Sequence, residues 1–482
     1  MNTCHGPFLT LKMSQSNSIS SQNSATRELF SSRLGFILIA AGCSIGLGNV
    51  WRFPYIAGQY GGALFVLIYI AFLILLGIPL VTIELSVGRA SRRSIGLSFE
   101  TLTPGSRWKY CKYFMIFGNY VLMAFYTMVT GWMLYYTIVM FSGYLTLTPV
   151  SQEQSGQFFS SMLSEPEPQI LFTAAVTIAG FAVCAFGLRK GVEGFTKPLM
   201  VLLFLLLIFL AARSFFLPGF SKGIEYYLYP DFSKITKDNF YEILSAACGQ
   251  AFFTLGVGIG SLQIFGSYMS SKKSVAYEAS VIAFLDTMVA FLAGIVIFPA
   301  CFSYSVEPGQ GPGLIFVTLV SVFSHMEYGQ IWGGVFFLFM FFAALSTLIA
   351  VFENVIGITL DIFRIGRIRA VLINFAVIFT MSLPVILGFN VLKNVHPLGE
   401  GSVLLDLYDF ILSQNIIELG SVVYVLYASW HYGWGFDRYL KEANSGSGLK
   451  VSRKFAFYFK YVLPVIVLIL FVQGYITVFN RQ

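Results

Sequence analysis

The sequence predicts an all-α integral membrane protein of about eleven transmembrane helices, built as a 5+5 inverted repeat with one helix added. Three observations carry that expectation. Of 482 residues, 56% are hydrophobic and 11% charged, and mean hydropathy is +0.75; a soluble domain carries about 25% charged residues. The apolar residues gather in runs of about twenty or more, the length that crosses a hydrocarbon core as a helix. Two of those runs, the first and the sixth, are broken by glycine clusters at matching places.

The expected spans are about 33–57, 62–89, 112–143, 169–187, 195–217, 241–268, 276–303, 329–361, 367–389, 403–434 and 453–479. Helices are required because lipid cannot satisfy exposed backbone N–H and C=O groups. Lys and Arg concentrate after the even-numbered spans, as in Arg89, Arg92 and Arg93, Arg189 and Lys190, Lys272 and Lys273, Arg364 to Arg369, and Arg438 to Lys454. Those loops belong on the cytoplasmic side. The loop 144–168 carries Glu153, Glu165 and Glu167 and no Lys or Arg, which puts it outside. Loop 218–240 mixes Lys222, Lys234 and Lys237 with acids, weakening the rule without reversing it. The N-terminus is then expected in the cytoplasm and Gln482 outside, in a plasma or bacterial inner membrane.

Residues 1–26, rich in Ser, Asn, Gln and Thr, read as a disordered cytoplasmic tail. Residues 27–482 read as a single transmembrane domain, with repeats at about 33–217 and 241–434 and an extra helix at about 453–479. The net charge of +7 is small for this length and lies in short loops, which argues against a nucleic-acid surface. Cys4, Cys43, Cys111, Cys184, Cys248 and Cys301 show no close pairing, and the four histidines no ligand spacing. No disulfide framework and no Cys/His metal site are expected.

The glycines stand in AGCSIGLGN (Gly42, Gly46, Gly48) and LGVGIG (Gly256, Gly258, Gly260). Close packing through small residues explains one such cluster about as well as a break does; a matched pair favours broken helices. A break at mid-membrane frees peptide groups, its helix N-terminus suits a carboxylate, and its loose carbonyls suit a hard cation.

The run RLGFILIAAGCSIGLGNVWRFPYIAGQYGG (33–62) resembles the first helix of the neurotransmitter:sodium symporter family, and most of all bacterial amino-acid transporters of the leucine-transporter type. The resemblance continues through GIPLVTIELSVGR (77–89), GQAFFTLGVGIGSLQIFGSY (249–268), LDTMVAFLAGIVIFPA (285–300), FFAALST (341–347) and LLDLYDF (404–410). It implies the leucine-transporter-like fold with unwound helices 1 and 6, a fold defined by its inverted repeat. It also implies a symporter of sodium and an amino acid working by alternating access, and no enzyme.

Carried over on these motifs, sodium site one would use the Ser44 carbonyl, Asn49, Thr254, Asp286 and the substrate's own carboxylate. Site two would use the Gly42, Ile45 and Ala343 carbonyls with the Ser346 and Thr347 hydroxyls. Bonding of those hydroxyls to their own helix is the plainer alternative. The substrate would meet Ser44, Gly46, Leu47, Gly48, Leu122, Tyr126, Phe253, Thr254, Gly256, Ile259, Thr347 and Val351. Monoamine members have an aspartate where this chain has Gly46, so the glycine implies a substrate bearing its own carboxylate. Gly256, in place of a serine, implies a larger apolar or aromatic side chain.

Asp286 stands where the family usually has asparagine, and Ala290 replaces the chloride-binding serine of animal members; transport independent of chloride follows. Arg52 and Asp409 resemble an outer gate pair, Arg27 and Asp361 an inner pair, with Phe30 in place of a tryptophan. Glu84 is expected to cap the broken sixth span, and Glu353 to join a buried polar network. Two alternatives stand beside symport with sodium: a membrane sensor that binds an amino acid, and a proton-coupled transporter of the same fold. Residues 1–26 are short for a signalling domain, and Asn49, Thr254, Ser346 and Thr347 keep the sodium ligands.

Overall fold

The computed structural model describes residues 28–146, 148–232, 236, 239–306 and 312–480. Arg27 and the tail 1–26 lie outside the described residues. Nine helices among the described residues are long and apolar enough to span a bilayer. They are α3 (Ala63–Ser91), α4 (Arg107–Phe141), α5 (Pro166–Ala185), α6 (Leu188–Ser214), α9 (Val275–Ser303), α10 (Gly329–Phe363), α11 (Arg367–Leu387), α12 (Leu404–Ser429) and α13 (Arg453–Ile476). A tenth crossing is the pair α1 (Arg33–Ser44) and α2 (Gly48–Gln59), bent by 70° at its break. The remaining expected span, 241–268, is divided into α7 (Phe240–Leu255) and α8 (Ser261–Tyr268), each too short to cross alone.

The two interruptions have local causes. At the first, Ile45 turns to an extended conformation (ψ 103°) while its N–H still bonds Ala41 C=O at 2.7 Å. At the second, Gly256, Gly258 and Gly260 hold φ of +58°, +91° and +73°. Such angles cost a residue with a Cβ roughly 1–2 kcal/mol each, so glycine stops α7 there and lets α8 start in a new direction. The breaks meet: the Ser44 hydroxyl reaches the Leu255 carbonyl at 3.4 Å, and the Gln250 amide donates to Gly48 C=O at 3.2 Å.

α4 and α10 form the most extensive helix contact and flank the two broken helices; α8 lies against α3. There the backbones approach so closely that a Cβ at Gly88 would collide with Gln263 C=O, and one at Gly266 with Leu85 C=O. The long loop 144–168 is not plain coil. It contains the helix Gln152–Ser164, started by a capping box of Ser151 and Gln154, a signal the acid-rich reading of that loop passes over.

Candidate functional site

A cavity of about 450 Å³ opens at the meeting point of the breaks. α1 and the bend supply Ser44, Gly46, Leu47, Gly48 and Asn49; α4 supplies Leu122 and Tyr126; α7 and the second break supply Phe253, Thr254, Gly256 and Ile259; α10 supplies Thr347. Eleven of the twelve residues expected around a substrate therefore line one space. Val351 does not. It is 1% exposed and sits one turn beyond Thr347, packed in the core behind the cavity wall. Cys43, Phe125 and Val129 line the cavity too, beyond the residues the motifs name.

Gly46 stands against Tyr126. A Cβ there would lie 2.6 Å from the Tyr126 hydroxyl and 3.2 Å from the Thr347 hydroxyl. The Tyr126 hydroxyl is buried and makes no hydrogen bond of good geometry among the described residues. A buried hydroxyl left so is costly, and it points into a cavity where a ligand's oxygen can satisfy it.

Beside the cavity, Asp286 is fully buried. Its carboxylate accepts from Asn49 Nδ2 at 2.9 Å and from Thr254 Oγ1 at 2.8 Å, and Asn49 Oδ1 accepts from Gly46 N–H at 3.0 Å. Asn49, Thr254 and Asp286, three of the four residues expected at site one, thus meet in one cluster, and Ser44 lines the adjoining cavity. Ala290, one turn along α9, is fully buried, and Tyr69 lies close by with its hydroxyl 3.5 Å from Thr287.

The second oxygen cluster is as compact. Thr347 Oγ1 lies 3.0 Å from both Gly42 C=O and Ile45 C=O and 3.4 Å from Ala343 C=O; Ser346 Oγ lies 3.2 Å from Gly42 C=O and 2.8 Å from Ala343 C=O. Bonding to their own helix does occur, at Ala343. The reach across to α1 draws two hydroxyls and three carbonyls into one five-oxygen cluster.

Arg52 and Asp409 line the open end of the cavity. No ion pair joins them among the described residues: the Arg52 guanidinium lies over the Phe253 ring at 4.6 Å, and Asp409 accepts from the Ser413 hydroxyl at 2.7 Å. Fourteen residues beyond Thr347 on α10, Asp361 accepts from the Ser94 N–H (2.7 Å) and hydroxyl (2.6 Å) and meets Arg93 at 3.4 Å. Its expected partner Arg27 lies outside the described residues, and the motifs do not point to the Ser94 and Arg93 contacts. Phe30 packs edge-on against Tyr268, with ring centroids 5.8 Å apart. Glu193 is a further residue the sequence does not single out: it accepts from the hydroxyls of Ser31 and Ser32 at 2.6 and 3.2 Å, pinning the start of α1.

Glu84 bonds the Gly258 N–H in the second break. Glu353, fully buried, pairs with Arg367 and accepts from the Tyr268 hydroxyl at 2.9 Å. In the sequence, Arg367 reads as a loop charge alone.

Residues 27–157 and 162–482 match the model of the sodium:neurotransmitter symporter family. The chain belongs to that family. Among relatives of the symporter, an uncharacterized sodium-dependent transporter of Haemophilus influenzae is 34% identical over 94% of this chain and 99% of its own length. Another from Bacillus subtilis is 30% identical over 92% and 97%. The sodium-dependent serotonin transporter of Drosophila melanogaster is 29% identical over 93% and 76%. The crystal structure of MhsT in complex with L-phenylalanine superposes with a TM-score of 0.83 at 35% identity, covering 93% of this chain and 100% of that one. The symporter is thus a multi-pass, sodium-dependent membrane transporter with the leucine-transporter-like fold, and no enzyme.

Proposed function

We propose that this symporter imports an amino acid with a large apolar or aromatic side chain, together with two sodium ions and without chloride. The observation that carries this reading is the unpartnered Tyr126 hydroxyl facing Gly46 inside the cavity. It suits a substrate carboxylate placed beside the bend, where that carboxylate also completes the oxygens of site one. The apolar Leu122, Phe253 and Ile259, with the bare Gly256, leave room for a bulky side chain. L-phenylalanine in MhsT is a ligand of that description.

The N-terminus and the Asp361 end face the cytoplasm, and the Arg52 end and Gln482 face outside. Sodium binding at the two clusters sets the bend and completes the substrate site. Substrate draws Phe253 and the Arg52–Asp409 pair together over it. Loss of sodium from the five-oxygen cluster then frees α1 to swing, and the Asp361 and Glu193 contacts open. Each sodium ion contributes about 2.3 kcal/mol per 100 mV on moving inward.

The deciding experiment is uptake of a labelled amino-acid panel into proteoliposomes, with sodium replaced by choline and, separately, chloride by gluconate. Uptake that survives choline sinks the reading; a strict chloride requirement sinks the part assigned to Asp286. Tyr126→Phe removes one hydrogen bond to a charged group, worth about 1.5–3 kcal/mol. KM is expected to rise roughly ten- to hundredfold with the sodium dependence kept; an unchanged KM removes Tyr126 from the carboxylate. Asp286→Asn removes a unit charge worth about 4 kcal/mol at 4 Å and an effective dielectric of 20. The sodium concentration for half-maximal uptake is expected to rise at least roughly tenfold, and an unaltered sodium titration would count against the charge.

A further inference from the structure

The second break is gripped from two sides. The Gly258 N–H goes to Glu84 of α3. The next residue's carbonyl, that of Ile259, accepts from Asn119 Nδ2 of α4 at 2.8 Å. Asn119 is fully buried and donates also to Met115 C=O at 2.9 Å. Its oxygen accepts from Asn354 Nδ2 of α10 at 2.9 Å. The two backbone carbonyls can only accept, so they turn the Asn119 NH₂ toward Met115 and Ile259 and leave its oxygen to take the Asn354 amide. Asn354 is fully buried, and its own oxygen has no partner among the described residues.

The placement relates this pair to the substrate site. Asn119 precedes Tyr126 by seven residues and Asn354 follows Thr347 by seven. Seven residues are two helical turns, a rise of about 10 Å on the same face. The two asparagines therefore form a level about 10 Å along the helices from the Tyr126–Thr347 level. Leu122 lies between the levels on α4 and lines the cavity, as does Ile259. α4 also packs on Ile259 directly, since a Cβ at Gly118 would lie 3.3 Å from its Cγ2. Asn119 itself is absent from the lining; it stands behind the wall and holds it.

We propose that Asn119, braced through its oxygen by Asn354, is a positioning residue that fixes Ile259 and so sets the depth of the side-chain pocket, and with it the size of amino acid the symporter selects. This rests on the amino-acid reading above. With the tether cut, the glycine-flanked Ile259 relaxes and the pocket no longer distinguishes a small side chain from a large one.

The test is proteoliposome uptake of alanine, leucine and phenylalanine by the full chain and by Asn119→Ala and Asn354→Leu, with KM, Vmax and a sodium titration for each. The ratio of Vmax/KM for phenylalanine over alanine is expected to fall about tenfold in Asn119→Ala, the scale of side-chain discrimination by a pocket wall. It is expected to fall in the same direction but less in Asn354→Leu, which leaves α4 untouched, with the sodium titration unmoved in both. A uniform loss for all three amino acids, with the ratio preserved, overturns the inference. So does failure of both variants to give folded, monodisperse protein, since the pair would then be a plain structural support. No amino-acid uptake by the unmodified chain would instead overturn the symport reading on which the inference rests.

Discussion

Gly46→Asp is expected to abolish amino-acid uptake, lowering Vmax/KM by roughly a hundredfold or more. Any Cβ at position 46 enters the space 2.6 Å from the Tyr126 hydroxyl and 3.2 Å from that of Thr347, so the ring must leave the place where it meets the carboxylate. The added charge acts in the same direction. Two like charges about 4 Å apart repel by about 4 kcal/mol at an effective dielectric of 20, or close to a thousandfold in binding. An amine with no carboxylate escapes that penalty. Competition by phenylalanine should therefore vanish in the variant, while competition by phenethylamine should weaken far less. A variant that still takes up phenylalanine with its original KM would show that the carboxylate lies elsewhere.

Thr347→Val has the second largest expected effect. Valine keeps the shape and removes the hydroxyl that lies 3.0 Å from both Gly42 C=O and Ile45 C=O. The Ile45 carbonyl loses its partner, the Gly42 carbonyl keeps only the Ser346 hydroxyl, and the proposed cation cluster drops from five oxygens to four. An unsatisfied buried polar group costs about 1–3 kcal/mol, and the lost cation ligand adds to it. Half-maximal uptake should need roughly a hundredfold more sodium, with phenylalanine saturation at high sodium nearly restored. A sodium titration that matches the parent protein would remove Thr347 from the cation site.

The broken helices are legible because glycine clusters in two apolar runs are conspicuous in one dimension. The ligands around them are legible through long, specific motifs. What the sequence hides is pairing between helices. Nothing in the spacing of Asp361, Arg93 and Ser94 says that a carboxylate near the end of α10 meets the turn after α3. Arg367 and Glu353 are fourteen residues apart, and a loop charge turned inward to a buried glutamate has no periodic signature. Val351 fails for a subtler reason. It follows Thr347 by four residues, within the angle that helical spacing allows for one face, but it is packed in the core and misses the cavity. The motifs name Arg52 and Asp409 as a gate pair, and the fold holds Arg52 on an aromatic ring with no ion pair between the two among the described residues. A bistable contact has two geometries, and a sequence names the partners without saying which geometry prevails.

Three left-handed glycines in five residues would ordinarily mark a supple joint. Here a carboxylate from one neighbour and a carboxamide from another clamp the peptide groups on either side of the Gly258–Ile259 peptide. The kink between α7 and α8 is thereby a stiff elbow. The other bend, at Ile45 and Gly46, is tied by the Thr347 hydroxyl and the Asn49 carboxamide, both residues of the proposed cation sites, so the deformation of the proposed cycle is expected there. Amide hydrogen exchange should register the asymmetry, with Gly258 slow to exchange and Gly46 fast once sodium is withdrawn.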